Sequence, residues 1–279
     1  MELVEKLIEY VGIEVEEPGA LSPIHIKSIV SVVIITLVLC LGFHSVCDLG
    51  YRFLMGLMSV VMISGELIKI VIPGLTLVDG AYQFTFDWTS IPFQLCSTPI
   101  YVLPFLFLLP DGKVRDVFAA YTMTFCLIGG LAVYATPSTV FSTGKFGNIH
   151  TMVHHGLQIV AGIYTAVYYR SRITKRFYAK GVTLFAIFVG IATLLNTVGY
   201  DHMLKYGKIT EGVGFNMFYI SPRADQTMPM YNDFLKSLHP AVLILGYFAA
   251  LSLIALVIVL FTYTLNKVYS RSAGMKKER

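Results

Sequence analysis

Seven long apolar stretches limit what this chain can fold into. Each is close to the roughly 20 residues that a helix needs to cross the hydrocarbon core of a bilayer. Open backbone cannot face lipid, which leaves helices as the spanning form here. We therefore expect an all-α, polytopic membrane protein with a seven-helix transmembrane bundle. The predicted spans are Lys27–Val46, Tyr51–Pro73, Ile91–Leu109, Val114–Thr136, His150–Tyr169, Ala179–Tyr200 and His239–Lys267.

The composition favours a membrane protein over a soluble domain. Of the 279 residues, 56% are hydrophobic and only 14% are charged, and the mean hydropathy is +0.69. The net charge of +4 is small, and the placement of Lys and Arg matters more than their sum in such a chain. The four cysteines show no CxxC spacing, so no disulfide framework is expected. We expect membrane lipids as partners and no nucleic acid.

The two ends of the chain differ from the spans. Leu3, Leu7 and Val11 share one helical face, with glutamates on another, which predicts an N-terminal amphipathic helix at the membrane interface. A polar tail without fixed structure is the alternative. The expected divisions are an interfacial segment at 1–23, a seven-span transmembrane domain at 24–268 with a long outer loop at 201–238, and a basic cytoplasmic tail at 269–279.

The positions of Lys and Arg predict the orientation in the membrane. Short cytoplasmic loops carry an excess of these residues. The turns after the first, third and fifth spans lie on the same side as the C-terminus. We therefore expect the N-terminus outside and the C-terminus in the cytoplasm. The cations on the expected cytoplasmic side are Arg52, Lys113, Arg115, Arg170, Arg172, Lys175, Arg176, Lys180, Lys267, Arg271, Lys276, Lys277 and Arg279.

With this orientation, the strongly polar residues of five spans fall at the outer end of the bundle. Polar side chains at membrane depth are costly and tend to mark functional sites. This pattern predicts an outward-facing polar pocket, although wetting of the interface would also collect polar groups there. Aromatic residues in the loop 201–238 predict a cap over the pocket instead of a linker.

Local spacing indicates which of these residues meet. Glu66 and Lys69 are three residues apart and can pair on one helical face, which lowers the cost of burying either charge. His150 and His154 are four residues apart and share a face, while a histidine directly after His154 points elsewhere. Only one of those two adjacent histidines is expected to address the pocket. The pair Gly129–Gly130 favours close approach of a neighbouring helix.

Three functional interpretations fit these residues. Cys96 could be a nucleophile whose proton a histidine takes. Histidines four residues apart also suit zinc, but the sequence shows no HExxH motif and no carboxylate placed as a third ligand. We accordingly expect no metal and no cofactor. The third interpretation is a pocket that binds a small polar solute or a lipid headgroup without chemistry.

Several segments together resemble the YwaF-like integral membrane family. The segments that carry the resemblance are Pro92–Cys96, Gly130–Pro137, His154–Gly156, Asn196 with Gly199–Tyr200, and Phe215–Pro222. That family is similar to the eukaryotic transmembrane protein 164, which is described as a phospholipid acyltransferase that uses a Cys and a His. The residue before Leu-Cys is often His in the family, whereas this chain has Gln94.

The resemblance implies a membrane enzyme and places Cys96, His155, Asn196 and Asn216 at the family's motif positions; the other candidates come from topology and spacing. It implies a lipid acyltransferase or lipid hydrolase with a Cys nucleophile, an acyl lipid as substrate and a place in the bacterial plasma membrane. A non-catalytic binding protein or a transporter is the alternative. The expected catalytic residues are Cys96 and His155, and the expected substrate-binding residues are Glu66, Lys69, Gln94, His150, His154, Asn196, Asn216 and His239.

Overall fold

The described part of the chain is mostly helical. The structure, a computed structural model, describes residues 2–211, 214–223 and 238–277, with side chains as far as Val268. The parts of the predicted loop and basic tail that fall at 212–213, 224–237 and 278–279 lie outside the described residues. The main helices are α1 (Glu2–Val11), α2 (Pro23–Gly42), α3 (Asp48–Val71), α4 (Pro99–Leu108), α5 (Arg115–Ala135), α6 (Lys145–Tyr168), α7 (Lys175–Lys205) and α8 (Pro240–Lys277).

Five of these helices are long and apolar enough to cross a membrane. They are α2, α3, α5, α7 and the Pro240–Val268 part of α8. Large apolar side chains on α2, α3 and α8 are exposed, as the lipid-facing sides of a bundle require. The prediction of a helical integral membrane protein is therefore confirmed. The predicted count of seven spans is not confirmed, because only five of the described helices have the length and apolarity to cross a membrane.

The third predicted span is shorter than its apolar run. Gln94 is extended, and Leu95–Ser97 forms a single 3₁₀ turn before α4 begins at Pro99. Proline fits the first turn of a helix because its missing N–H would have no partner there. The apolar helical stretch consequently covers only Leu95–Leu108. This arrangement places Cys96 in an irregular segment directly before α4.

A β-hairpin between α3 and α4 was not predicted. Strand β1 (Leu75–Val78) pairs antiparallel with β2 (Ala81–Phe84). Asp79 and Gly80 form the two-residue turn and both have positive φ, which Asp-Gly tolerates better than most pairs. The Asp-Gly dipeptide was the sequence signal that could have revealed this hairpin.

The N-terminal segment is helical and contacts the start of α6. Tyr10 packs edge-on against Phe146, with 6.3 Å between ring centroids. Val15 donates a backbone hydrogen bond of 2.7 Å to Thr143, and Glu14 forms an isolated bridge with Gly144. The helix predicted for this segment is present, and the alternative of an unstructured tail does not describe it.

Helix α6 lies at the centre of the bundle and packs against α2, α3 and α5. At the end where α6 finishes, Arg115 is buried and donates to Asp48 and Asp111. Arg172 contacts Asp111 as well, and its hydrogen bonds lower the pKa of that carboxyl to about 2. This charged end lies opposite the end where the polar residues of α3 and α6 meet.

Candidate functional site

The backbone carbonyl of Cys96 is held by two side chains from α6. His154 Nε2 lies 3.0 Å from this oxygen and Gln158 Nε2 lies 2.5 Å from it. A carbonyl oxygen only accepts hydrogen bonds, so Nε2 of His154 carries the proton and Nδ1 keeps a lone pair. The two contacts fix the position of Cys96 relative to α6. Gln158 was not among the predicted site residues, although it lies four residues after His154.

Helix α5 approaches the same segment through two glycines. A Cβ on Gly129 would lie 3.3 Å from the Cα of Cys96, and a Cβ on Gly130 would lie 2.7 Å from the carbonyl oxygen of His155. The second distance is shorter than real Cβ contacts allow. The predicted close approach at Gly129–Gly130 is confirmed, since any larger residue at Gly130 would push α5 away from α6.

Glu66 of α3 bridges a lysine and a histidine. Its Oε1 accepts a 2.7 Å hydrogen bond from Nζ of Lys69, and its Oε2 lies 3.5 Å from Nε2 of His150. The Glu66 side chain is 5% exposed, whereas the Lys69 side chain is 45% exposed. The predicted pairing of Glu66 with Lys69 is confirmed, and the structure adds His150 as a neighbour.

Three histidines of α6 form a continuous group. The ring centroids of His150 and His154 are 5.4 Å apart, and those of His154 and His155 are also 5.4 Å apart. His155 Nδ1 donates to the carbonyl of Thr151 over 2.7 Å, which leaves Nε2 as the ring nitrogen with a lone pair. That Nε2 is buried and has no hydrogen-bond partner. His155 is therefore held in the form that can accept a proton.

The described part of the long loop is anchored by three amide side chains. Gln94 Nε2 donates to the carbonyl of Asn216 over 2.7 Å. Asn196 forms two hydrogen bonds with the backbone of Met217, at 2.8 and 2.7 Å. Asn216 Oδ1 accepts from the backbone N–H of Ser221 at 2.8 Å. Gln94, Asn196 and Asn216 thus position the segment 214–223 beside the segment that contains Cys96.

His239 makes a local contact at the start of α8. It is exposed, and its Nδ1 accepts a 3.2 Å hydrogen bond from the backbone N–H of Ala241. This contact caps the start of α8. Among its described contacts, none joins His239 to the other predicted site residues.

A cavity of about 270 Å³ lies between α2 and α6. Its wall includes Met152 and Gly156, which flank the two adjacent histidines in the sequence. The wall is mostly apolar, and Lys27, Ser28 and Ser31 supply polar groups. A space with this lining suits a molecule that is apolar over most of its length and polar at one end.

The fold and the site define a class of protein: a helical integral membrane protein with a carboxylate and histidine group, one histidine of which binds the backbone of a partly buried cysteine. The profile of the TMEM164 family matches residues 20–265, which is most of the chain. The chain belongs to the TMEM164 family, in agreement with the resemblance described from its sequence motifs. No protein with a curated description and no solved structure matches it.

Proposed function

We propose that this protein is a membrane-embedded lipid acyltransferase with Cys96 as its nucleophile. One observation carries the proposal. The carbonyl of Cys96 is fixed by His154 and Gln158, while the adjacent His155 keeps a buried nitrogen lone pair without a partner. Cys96 is thus held by the histidine that precedes His155 in the chain, and covalent catalysis pairs such a fixed nucleophile with a base.

The proposed reaction has two steps. The thiol of Cys96 gives its proton to Nε2 of His155, and the sulfur attacks an ester carbonyl of a lipid. The ester C–O bond breaks, the leaving alcohol takes the proton from His155, and a thioester remains on Cys96. The hydroxyl of a second lipid then attacks the thioester and restores the thiol. Water in place of the second lipid would make the protein a hydrolase.

Two features support an acyl lipid as the substrate. The apolar cavity between α2 and α6, on the helix that carries His154 and His155, has the lining that an acyl chain needs. The half-exposed Lys69 offers a cation to a lipid phosphate. His154 binds the carbonyl of Cys96, and Glu66 and His150 lie next to His154. Gln94, Asn196 and Asn216 hold the loop beside the segment that contains Cys96. These residues are the proposed contacts for the headgroup.

We also propose the full topology expected from the sequence. The short α4 and the histidine-bearing α6 cross the membrane together with the five long apolar helices, which gives seven spans. The N-terminus then lies outside a bacterial plasma membrane, and the charged end with Arg115 and Arg172 lies at the cytoplasm. The concentration of cations at that end supports this orientation.

A membrane-impermeant maleimide tests the orientation. In a Cys47→Ser background, we expect Asp79→Cys in the hairpin turn to be labelled on intact cells. Ser171→Cys, in the exposed turn between α6 and α7, should be labelled only after the cells are opened. Labelling of Ser171→Cys from outside would reverse the proposed orientation without changing the fold.

Covalent labelling tests the proposed function. We expect the purified protein to form a hydroxylamine-labile adduct with an activated acyl lipid. Cys96→Ser should lower this labelling strongly, and His155→Ala should lower it nearly as much, because residues that act as one unit are not additive.

Two other cysteines provide matched controls for that experiment. Cys40 is partly buried and Cys126 is buried, and Cys40→Ser and Cys126→Ser should leave the labelling unchanged. Equal labelling of the wild type and Cys96→Ser would end the nucleophile hypothesis. If no adduct forms and Cys96→Ala still binds lipid within about tenfold of the wild type, the protein is a binding module instead.

A further inference from the structure

We propose that Glu66, His150 and His154 form a binding site for a divalent transition-metal ion, with zinc as the ion that fits best. One ligand atom from each residue lies within 4.8 Å of the other two. The three residues come from two helices, α3 and α6, which pack against each other. The sequence supplied two histidines at zinc-ligand spacing, and the structure supplies the carboxylate that was missing.

Hydrogen bonds around the site fix the orientation of two ligands and the tautomer of one. His154 donates Nε2–H to the carbonyl of Cys96, so Nδ1 has a free lone pair. Histidines that bind metals usually donate the other ring N–H to a carbonyl or carboxylate, which fixes the tautomer and orients the ring. Glu66 uses Oε1 for Lys69 and presents Oε2 towards His150. His154 and Glu66 therefore already have an outer partner each.

The histidine nitrogens that face the site lack hydrogen bonds. His150 Nε2 and His154 Nδ1 are buried without a partner by hydrogen-bond geometry. The His150 side chain is 9% exposed, and His154 as a residue is 3% exposed. A buried polar atom without a partner is costly and calls for an explanation. A metal ion would satisfy both nitrogens and the Glu66 carboxylate at once.

The donor set indicates the kind of metal. Two imidazoles and one carboxylate leave a fourth position open, as in catalytic zinc sites and in non-haem iron sites. Magnesium and calcium prefer sites made of oxygen ligands, which this group does not offer. The site goes beyond the proposed acyl transfer, because the thioester on Cys96 can form and break without it.

Lys69 opposes metal binding, so the direction in which its replacement changes the affinity tests the proposal. Its ammonium group lies 2.7 Å from Glu66 Oε1 and would repel an incoming cation. Because its side chain is 45% exposed, it can move into solvent when the ion binds. Removal of this charge should therefore strengthen metal binding. If the group only bound an anionic headgroup, removal of the same charge would weaken binding.

Calorimetric titration of zinc into the full-length, chelator-treated protein in detergent tests the site. We expect wild type to bind one zinc ion. Glu66→Gln and His150→Ala should each lower the affinity by more than about 100-fold, since loss of an outer-shell partner alone costs 10- to 100-fold. Lys69→Met should raise the affinity by about tenfold or more. His25→Ala is the matched control, a buried histidine of α2 outside the group, and should bind zinc as the wild type does.

Cobalt binding to the wild type provides a readout that needs no variant to fold. Co²⁺ should give visible d–d absorption bands, which Zn²⁺ removes and excess Mg²⁺ does not. Failure of wild type to bind zinc or cobalt would overturn the proposal. Unchanged zinc affinity in folded Glu66→Gln and His150→Ala would do so as well. Cys96→Ser should bind zinc normally, so failure of the metal site and failure of the acyl transfer can be told apart.

Discussion

The double substitution Asp48→Asn and Asp111→Asn is expected to lower the free energy of unfolding by roughly 3 kcal/mol. Arg115 is 1% exposed, and its Nη2 donates to both carboxylates, at 2.5 and 2.9 Å. The substitutions would leave a buried guanidinium without a counter-ion, which is far more costly than the loss of a surface pair. We place the effect at the lower end of the range for buried pairs because the carboxylates are 40% and 46% exposed. Unfolding by SDS, followed by helical circular dichroism, measures it.

Two further variants separate the buried charge from a general effect of removing carboxylates. Adding Arg115→Met to the double variant should restore much of the stability, because an apolar replacement for a whole buried ion group is often neutral. Asp201→Asn removes a carboxylate from an exposed pair with Arg223 and should have no measurable effect. If Arg115→Met fails to rescue, the buried guanidinium is not the cause.

Gly130→Ala is expected to separate α5 from α6 and to abolish covalent labelling of Cys96. The added Cβ would lie 2.7 Å from the carbonyl oxygen of His155 and 2.9 Å from Cγ1 of Ile159. The first of these atoms belongs to the backbone and cannot rotate away. Overpacking of this kind typically costs 1–3 kcal/mol, and here the strain falls on the helix that carries His155. SDS unfolding measures the stability, and the acyl-lipid labelling assay measures the site.

Gly190 of α7 is the matched control for that substitution. A Cβ at Gly190 would meet no atom within 4 Å. Gly190→Ala should therefore stabilise the helix by up to about 1 kcal/mol, since alanine loses less backbone entropy than glycine, and should leave labelling intact. Equal stability of Gly130→Ala and Gly190→Ala would contradict the close packing of α5 on α6.

The sequence revealed the helices because their signal is local. Long apolar runs specify membrane helices residue by residue, and every predicted span overlaps a helix of the structure. The hairpin also had a local signal, in Asp79 and Gly80. The shortening of the third span depended on the backbone around Gln94, and the π-helical segment Thr122–Cys126 inside α5 had no such signal. Both depend on packing that periodicity does not report.

The sequence predicted most residues of the site but not the contacts between them on different helices. Spacing within one helix correctly paired Glu66 with Lys69. It could not show that Glu66 reaches His150 on another helix. Likewise, the sequence singled out the cysteine and the two adjacent histidines, but not that His154 binds the backbone carbonyl of Cys96. Contacts between helices depend on how each helix is rotated, which a single sequence leaves open.

Intact-mass spectrometry of the full-length protein gives the most direct test of Cys96 as an acyl carrier. The protein, purified in detergent, is incubated with diacyl phospholipids in the absence of an acceptor lipid. We expect a mass increase of one acyl chain, which hydroxylamine removes and an acceptor lysolipid discharges into a new diacyl lipid. Cys96→Ala should show no increase. Transfer of acyl chains without any adduct, or an adduct that persists in Cys96→Ala, would contradict the proposed mechanism.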